Sequence, residues 1–301
     1  MDSKVSIDML IRLAYDLQFD IPTEVAMIAL LHVHPSRTGD LLEPDEIATE
    51  PKLDVTSYYD TFGNRCARFV APRGHLRLSS TSLIQDSGET DPVSWDAREI
   101  PVGELPNELL RFLLSSRYCE VDLFTNIAFG LFGQVAPGWP RVQAICDWVH
   151  NWVSFDYQMA RPTKTAMDVY TERVGVCRDF QHLAITFCRA MNIPARYATG
   201  YLGDIGVPLR LPMDFSAWFE VWLDGKWWAF DARNNVPRIG RILMATGRDA
   251  ADVALTTSFG TANLSYFFVV TEEEIPRSVD EAVLESDFGV GVPHFESPPG
   301  A

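Results

Sequence analysis

Hydrophobic spacing changes period along this chain, and that change restricts the fold more than any single motif. Residues 9–21 alternate, with Leu13, Tyr15, Leu17, Phe19 and Ile21 on one side and Arg12, Asp16, Gln18 and Asp20 mostly on the other. A period of two marks a half-buried strand. Val25–Val33, Val55–Thr61, Cys66–Ala71 and Leu76–Leu83 read as further strands, separated by turn signals at Gly63-Asn64 and Pro72-Arg73-Gly74. Residues 1–85 therefore read as an N-terminal β domain. The next stretch is rich in Asp, Ser, Gly, Pro and Glu without periodicity, so 86–105 reads as a linker and 106–301 as a second unit.

In the second unit the spacing becomes helical. Glu108–Ser115, Val121–Phe132 and Pro140–Val153 carry apolar positions at three- and four-residue steps. The clearest case runs from Cys177 to Met191, where Cys177, Phe180, Ala184, Phe187, Cys188 and Met191 form one stripe. Strand-like runs follow at Ala195–Leu202, Ala217–Leu223, Lys226–Asp231 and Leu264–Val270. Glu272-Glu273-Glu274 reads as a solvated helix start. The fold class is α+β, with an all-β start, then helices, then sheet.

Composition narrows the function. Lys and Arg number 25 against 41 Asp and Glu, a formal charge of −16 over 301 residues. Such a surface repels phosphate backbones and anionic lipid, which argues against nucleic acid and membrane partners. No apolar run approaches the ~18 residues of a spanning helix, and Met1-Asp2-Ser3-Lys4 leads into no apolar signal core. The expectation is a soluble cytoplasmic protein. Five scattered cysteines, none in a two-residue pair, read as reduced thiols. His32 and His34 share a strand face, but no Cys or carboxylate accompanies them at ligand spacing, so no metal or cofactor is expected.

Cys177 stands at the start of its helix, after Gly175-Val176, where unpaired amides and the helix dipole favour a thiolate. A second constraint comes from Leu223-Asp224-Gly225-Lys226, a strong two-residue hairpin turn. Pairing Leu223 with Lys226 sets Trp218 opposite Asp231 and Ser216 opposite Arg233. Ser216 then lies diagonal to Asp231 at about 7 Å between backbones, a span that a histidine could bridge and a serine could not. His182, five residues after Cys177, lies about 140° around the helix and should point away from the thiol. Asp179 and Asp214 read as structural or solvated carboxylates.

Four segments in order carry a family resemblance: Gly175-Val176-Cys177-Arg178-Asp179-Phe180-Gln181-His182; Ile193-Pro194-Ala195-Arg196-Tyr197 with Gly200-Tyr201; Ala217-Trp218-Phe219-Glu220-Val221; and Trp228-Ala229-Phe230-Asp231-Ala232-Arg233. Together they resemble the core of the bacterial transglutaminase-like superfamily. Asp60-Thr61-Phe62-Gly63-Asn64-Arg65 resembles that family's N-terminal domain. The resemblance implies a papain-like core, with helices packed on an antiparallel sheet, and a Cys, His, Asp triad in that chain order. Cys177 matches the nucleophile and Asp231 the orienting carboxylate. Ser216 stands at the histidine position, and Asn234-Asn235 stand where the family often has another histidine. Trp218 and Arg233, on the same face, are candidate substrate contacts. Losing a triad base costs on the order of 10⁴–10⁶ in rate. The expectation is therefore an impaired thiol acyl-transfer protein with a Cys-Ser-Asp variant triad, the alternative being a pseudoenzyme that binds a peptide or partner without catalysis.

Overall fold

The structure is a computed structural model and describes residues 9–274. Six strands come first: β1 (Met9–Ile21), β2 (Val25–Ala29), β3 (Ala48–Glu50), β4 (Thr56–Tyr59), β5 (Arg65–Ala71) and β6 (Gly74–Asp86). The helical middle holds α1 (Val121–Phe132), α2 (Trp139–Trp152), α3 (Ala166–Glu172) and α4 (Cys177–Ala190), with a short parallel pair, β7 (Ser154–Phe155) and β8 (Val174–Gly175). The chain continues through β9 (Ala195–Leu202), β10 (Phe215–Leu223), β11 (Lys226–Phe230), β12 (Arg241–Gly247), β13 (Thr256–Ser258) and β14 (Asn263–Glu273). The α+β class is as read.

Three antiparallel sheets of four strands result, in the orders β14-β1-β6-β3, β13-β2-β5-β4 and β11-β10-β9-β12. The alternation in β1 does what its period requires: every odd residue from Ile11 to Ile21 is buried against Met27, Phe69, Leu76 and Leu78. Strand pairing does not follow one cut in the sequence. β13 and β14 pair with β2 and β1, so the tail of the 106–301 segment completes both sheets begun by the first 86 residues. The acidic run read as a helix start instead ends β14, where Glu272 and Glu273 face Arg12 and Ile11 of β1. Strand pairing removes the choice, since the Glu274 N–H also donates to the Leu10 carbonyl at 2.7 Å. The helix read at Glu108–Ser115 is a 3₁₀ helix over Asn107–Phe112.

α4 is the hub of the second core. From Asp179 to Ala190 every residue is buried, and Phe187 makes edge-on contacts with Phe124 and Phe132 from α1 and Trp148 from α2. Its other side lies on β9 and β10. Among the described residues no helix is long and apolar enough to cross a membrane.

Candidate active site

Local sequence fixes where Cys177 sits. Gly175 ends β8, and a Cβ there would stand 2.7 Å from the Asp179 side chain, so only glycine lets the chain turn into α4. Asp179 is fully buried and caps the helix, accepting the Val176 N–H at 2.9 Å while Arg178 pairs with it at 3.2 Å. That is a structural carboxylate, as read.

One turn beyond Cys177, Gln181 fastens the helix start to the β10–β11 ribbon. Its amide donates to the Ala217 carbonyl at 3.2 Å and to Asp231 Oδ1 at 3.0 Å, and its carbonyl accepts the Ala232 N–H at 3.2 Å. The hairpin register is the one the turn dictates, with Leu223 on Lys226 and Phe219 on Phe230. Asp231 follows directly, and its carboxylate is fully engaged. Oδ1 also accepts the backbone N–H groups of Arg233 and Asn234 at 3.0 and 3.1 Å. Oδ2 accepts the Asn234 side-chain amide at 2.8 Å and lies 3.6 Å from Arg241. Asn234 thus makes the bond that an orienting carboxylate would otherwise receive from an imidazole. The Ser216 hydroxyl makes no hydrogen bond to Asp231, in keeping with its short reach.

A cleft of about 520 Å³ opens beside Ser216 and Asn234; neither Cys177 nor Asp231 is among its lining residues. Ser216, Asp214 and Arg233 line it together with Phe155, Tyr157 and His150, and the loop 203–213 supplies Val207, Leu211 and Met213. The Arg233 guanidinium lies over the Phe155 ring, 4.0 Å from its centroid. Cys177 is partly exposed, and Arg233, Asp214 and Asp231 are the charges that act on it. Burial pushes its thiol up to about 11. Arg233 and a bond from the Arg178 N–H pull the other way, while Asp214 and Asp231 push further up. Only on the order of 10⁻⁴ of such a thiol is ionised at pH 7. Burial thus acts on the thiol in the direction opposite to that expected from its place at the helix start.

Trp218 is also corrected. It is 1 % exposed and does not line the cleft; Arg241 lies over its ring at 4.8 Å. Gly200 makes the room, since a Cβ there would meet the Trp218 ring at 2.9 Å. Asp214, read as solvated or structural, is a half-buried cleft carboxylate whose pKa burial raises.

Each histidine among the described residues is engaged away from the thiol. His32 contacts Asp45, His34 caps with Ser36, His75 approaches Asp20, and the fully buried His182 accepts the Ala250 N–H at 3.1 Å. His150 is the exception in place, because it sits on the cleft. Its Nδ1 donates to the Arg233 carbonyl at 2.9 Å, which leaves Nε2 as its basic nitrogen. Sequence reasoning missed His150, Tyr157 and Phe155, which come from elements with no motif. The Cys177–Gln181 spacing of one turn was the available signal for Gln181. Among the described residues no three His, Cys, Asp or Glu side chains are grouped to hold a metal.

A buried helix beginning in a cysteine, stapled to a β-ribbon bearing an aspartate, defines a papain-like, cysteine-hydrolase type of core. The chain belongs to the transglutaminase-like superfamily, whose family model matches residues 126–232. It is 32% identical over 225 residues to an uncharacterized protein of Mycobacterium tuberculosis, covering 66% of this chain and 70% of that one. An uncharacterized protein of Mycobacterium leprae is 28% identical over 232 residues, covering 73% and 81%. A crystal structure of a candidate cysteine protease from Cytophaga hutchinsonii superposes with a TM-score of 0.79 at 31% identity, covering 91% of this chain and 93% of that one.

Proposed function

We propose that the cleft is a thiol acyl-transfer site in which Cys177, Ser216 and Asp231 form a Cys-Ser-Asp variant of the triad, with amide hydrolysis or transamidation strongly impaired. In the full reaction the sulfur attacks an amide carbonyl, the amine leaves with a proton, and water or another amine resolves the thioester. Backbone N–H groups at the start of α4 are suited to the developing oxyanion. The proton is the difficulty. A serine hydroxyl has no lone pair basic enough to take it near neutral pH, and the raised thiol makes it harder to remove.

The bonding of Asp231 carries this reading. Asn234, Gln181 and two backbone N–H groups consume the acceptor positions that would orient a base. The same observation also favours a second reading, a peptide- or partner-binding pseudoenzyme. Free cysteines throughout the described residues fit the reducing cytoplasm.

The test is a peptide-amide hydrolysis and amine-incorporation assay on the wild type, Ser216→His, Ser216→His/Asn234→Ala and Cys177→Ala. The wild type is expected near the Cys177→Ala background. The double variant should gain about 10²-fold or more, the scale of general acid–base catalysis, and exceed Ser216→His alone. Wild-type turnover of ordinary triad size would overturn the impairment. A double variant that stays at background would favour the pseudoenzyme.

A further inference from the structure

Among the described residues, two of the cleft's three arginines have no carboxylate partner, in a protein that is acidic overall. The chain carries 16 more acidic than basic residues. Even so, neither Arg233 nor Arg210, both lining the cleft, has a carboxylate within ion-pair distance among the described residues. The third arginine there, Arg238, is already matched by Asp204 at 3.0 Å. Among the described residues Asp214 is the one other cleft carboxylate, and it lies beyond ion-pair distance of Arg233.

Arg233 is built to present its edge. Phe155 supports the flat face of the guanidinium, and Tyr157 packs edge-on against Phe155 with ring centroids 4.8 Å apart. The His150 ring holds the Arg233 backbone through its carbonyl. Tyr157 lines the cleft beside the Arg233–Phe155 pair. A guanidinium fixed flat on an aromatic ring has its N–H edge left for a planar acceptor, and carboxylate matches that fork in two bonds.

We infer that Arg233, with Arg210 also lining the cleft, forms a carboxylate receptor, so that the site takes peptide-like ligands bearing a free carboxylate near the amide presented to Cys177. This rests on the reading that Cys177 opens onto the cleft. The carboxylate could belong to an acidic side chain or a peptide C-terminus.

Two alkylating reagents of nearly the same size test it on the intact protein. Iodoacetate carries the carboxylate and iodoacetamide does not. Cys66, Cys119, Cys146 and Cys188 are buried, so Cys177 is the thiol among them open to reagent in the folded state. The iodoacetate-to-iodoacetamide rate ratio at Cys177, followed by intact mass, should exceed that of N-acetylcysteine by on the order of tenfold, despite the net negative charge. Arg233→Gln should return the ratio to the reference or below, Arg233→Lys should restore most of it, and 0.5 M KCl should lower it. A ratio at or below the reference in the wild type, or one indifferent to Arg233→Gln, overturns the receptor while leaving the acyl-transfer site standing. Failure of Cys177 to react with either reagent instead overturns the reading that it opens on the cleft, and the receptor with it.

Protection experiments separate the sources. N-acetylglutamate amide carries a side-chain carboxylate, N-acetylglutamine a terminal one, and N-acetylglutamine amide neither. Protection of Cys177 from iodoacetamide by one or both acids, but not by the neutral amide, supports the proposal and names the source. Equal protection by all three overturns it.

Discussion

Charges around the sulfur set how readily Cys177 loses its proton. Burial is the largest influence and raises the thiol to about 11, with Arg233 opposing it and Asp214 adding to it. A neighbouring anion disfavours the thiolate, so neutralising Asp214 must lower the pKa, and removing Arg233 must raise it. Alkylation of Cys177 by iodoacetamide is therefore expected to keep accelerating to pH 9 without a plateau. Asp214→Asn should speed it severalfold at pH 8 and Arg233→Gln should slow it; a plateau below pH 8 would contradict the account. The residues of this site were unevenly legible in the sequence. Cys177, Ser216 and Asp231 stand in motifs with fixed spacing. The saturation of Asp231 by Asn234 was not readable, because which donor a carboxylate takes depends on loop geometry beyond the strand. Trp218 misled for a related reason: its face was right, but the missing side chain of Gly200 lets the ring sink into the sheet.

Among the elements, α4 depends on two devices near its first turns. Gln181 is fully buried and satisfies three polar groups on the β10–β11 ribbon. Gln181→Leu keeps much of the volume but leaves the Ala217 carbonyl and Ala232 N–H unpaired. A loss of about 2–4 kcal/mol is expected in urea unfolding, since each orphaned buried group costs about 1–3 kcal/mol. Gly175→Ala should also destabilise, by about 1–3 kcal/mol, because the new methyl collides with the capping carboxylate of Asp179; unchanged midpoints for both variants would remove these two contacts from the account. The long periodic elements β1 and α4 were plain in the sequence because one face of each meets a core. β12 was not read as a strand, since Arg241–Gly247 is largely buried and lacks alternation. β3 and β13 are three residues long and too short to show a period.

Across the whole molecule, one buried side chain ties the early strands to the β11-β10-β9-β12 sheet. Asn64, in the turn before β5, donates to the Thr246 carbonyl at 2.8 Å and accepts the Thr246 N–H at 2.8 Å, imitating a strand edge beside β12. Asn64→Ala leaves both backbone groups of Thr246 unpaired, so a loss of about 2–4 kcal/mol in guanidinium unfolding is expected. A change under 0.5 kcal/mol would show the link to be dispensable. The sequence marked Gly63-Asn64 as a turn; a partner 182 residues away could not be inferred from local signals. Among the described residues the most distant closure is that of β14 on β1, where Arg12 and Glu274 meet across 262 positions. During synthesis at roughly 5–20 residues per second, the nascent chain waits some 13–50 s between making those two ends. Throughout that interval the ribosome holds out a thirteen-residue strand with at least one bare flank, and with two until β6 is made, which makes the newborn polypeptide dependent on shielding from its neighbours before it is ever dependent on its sulfur.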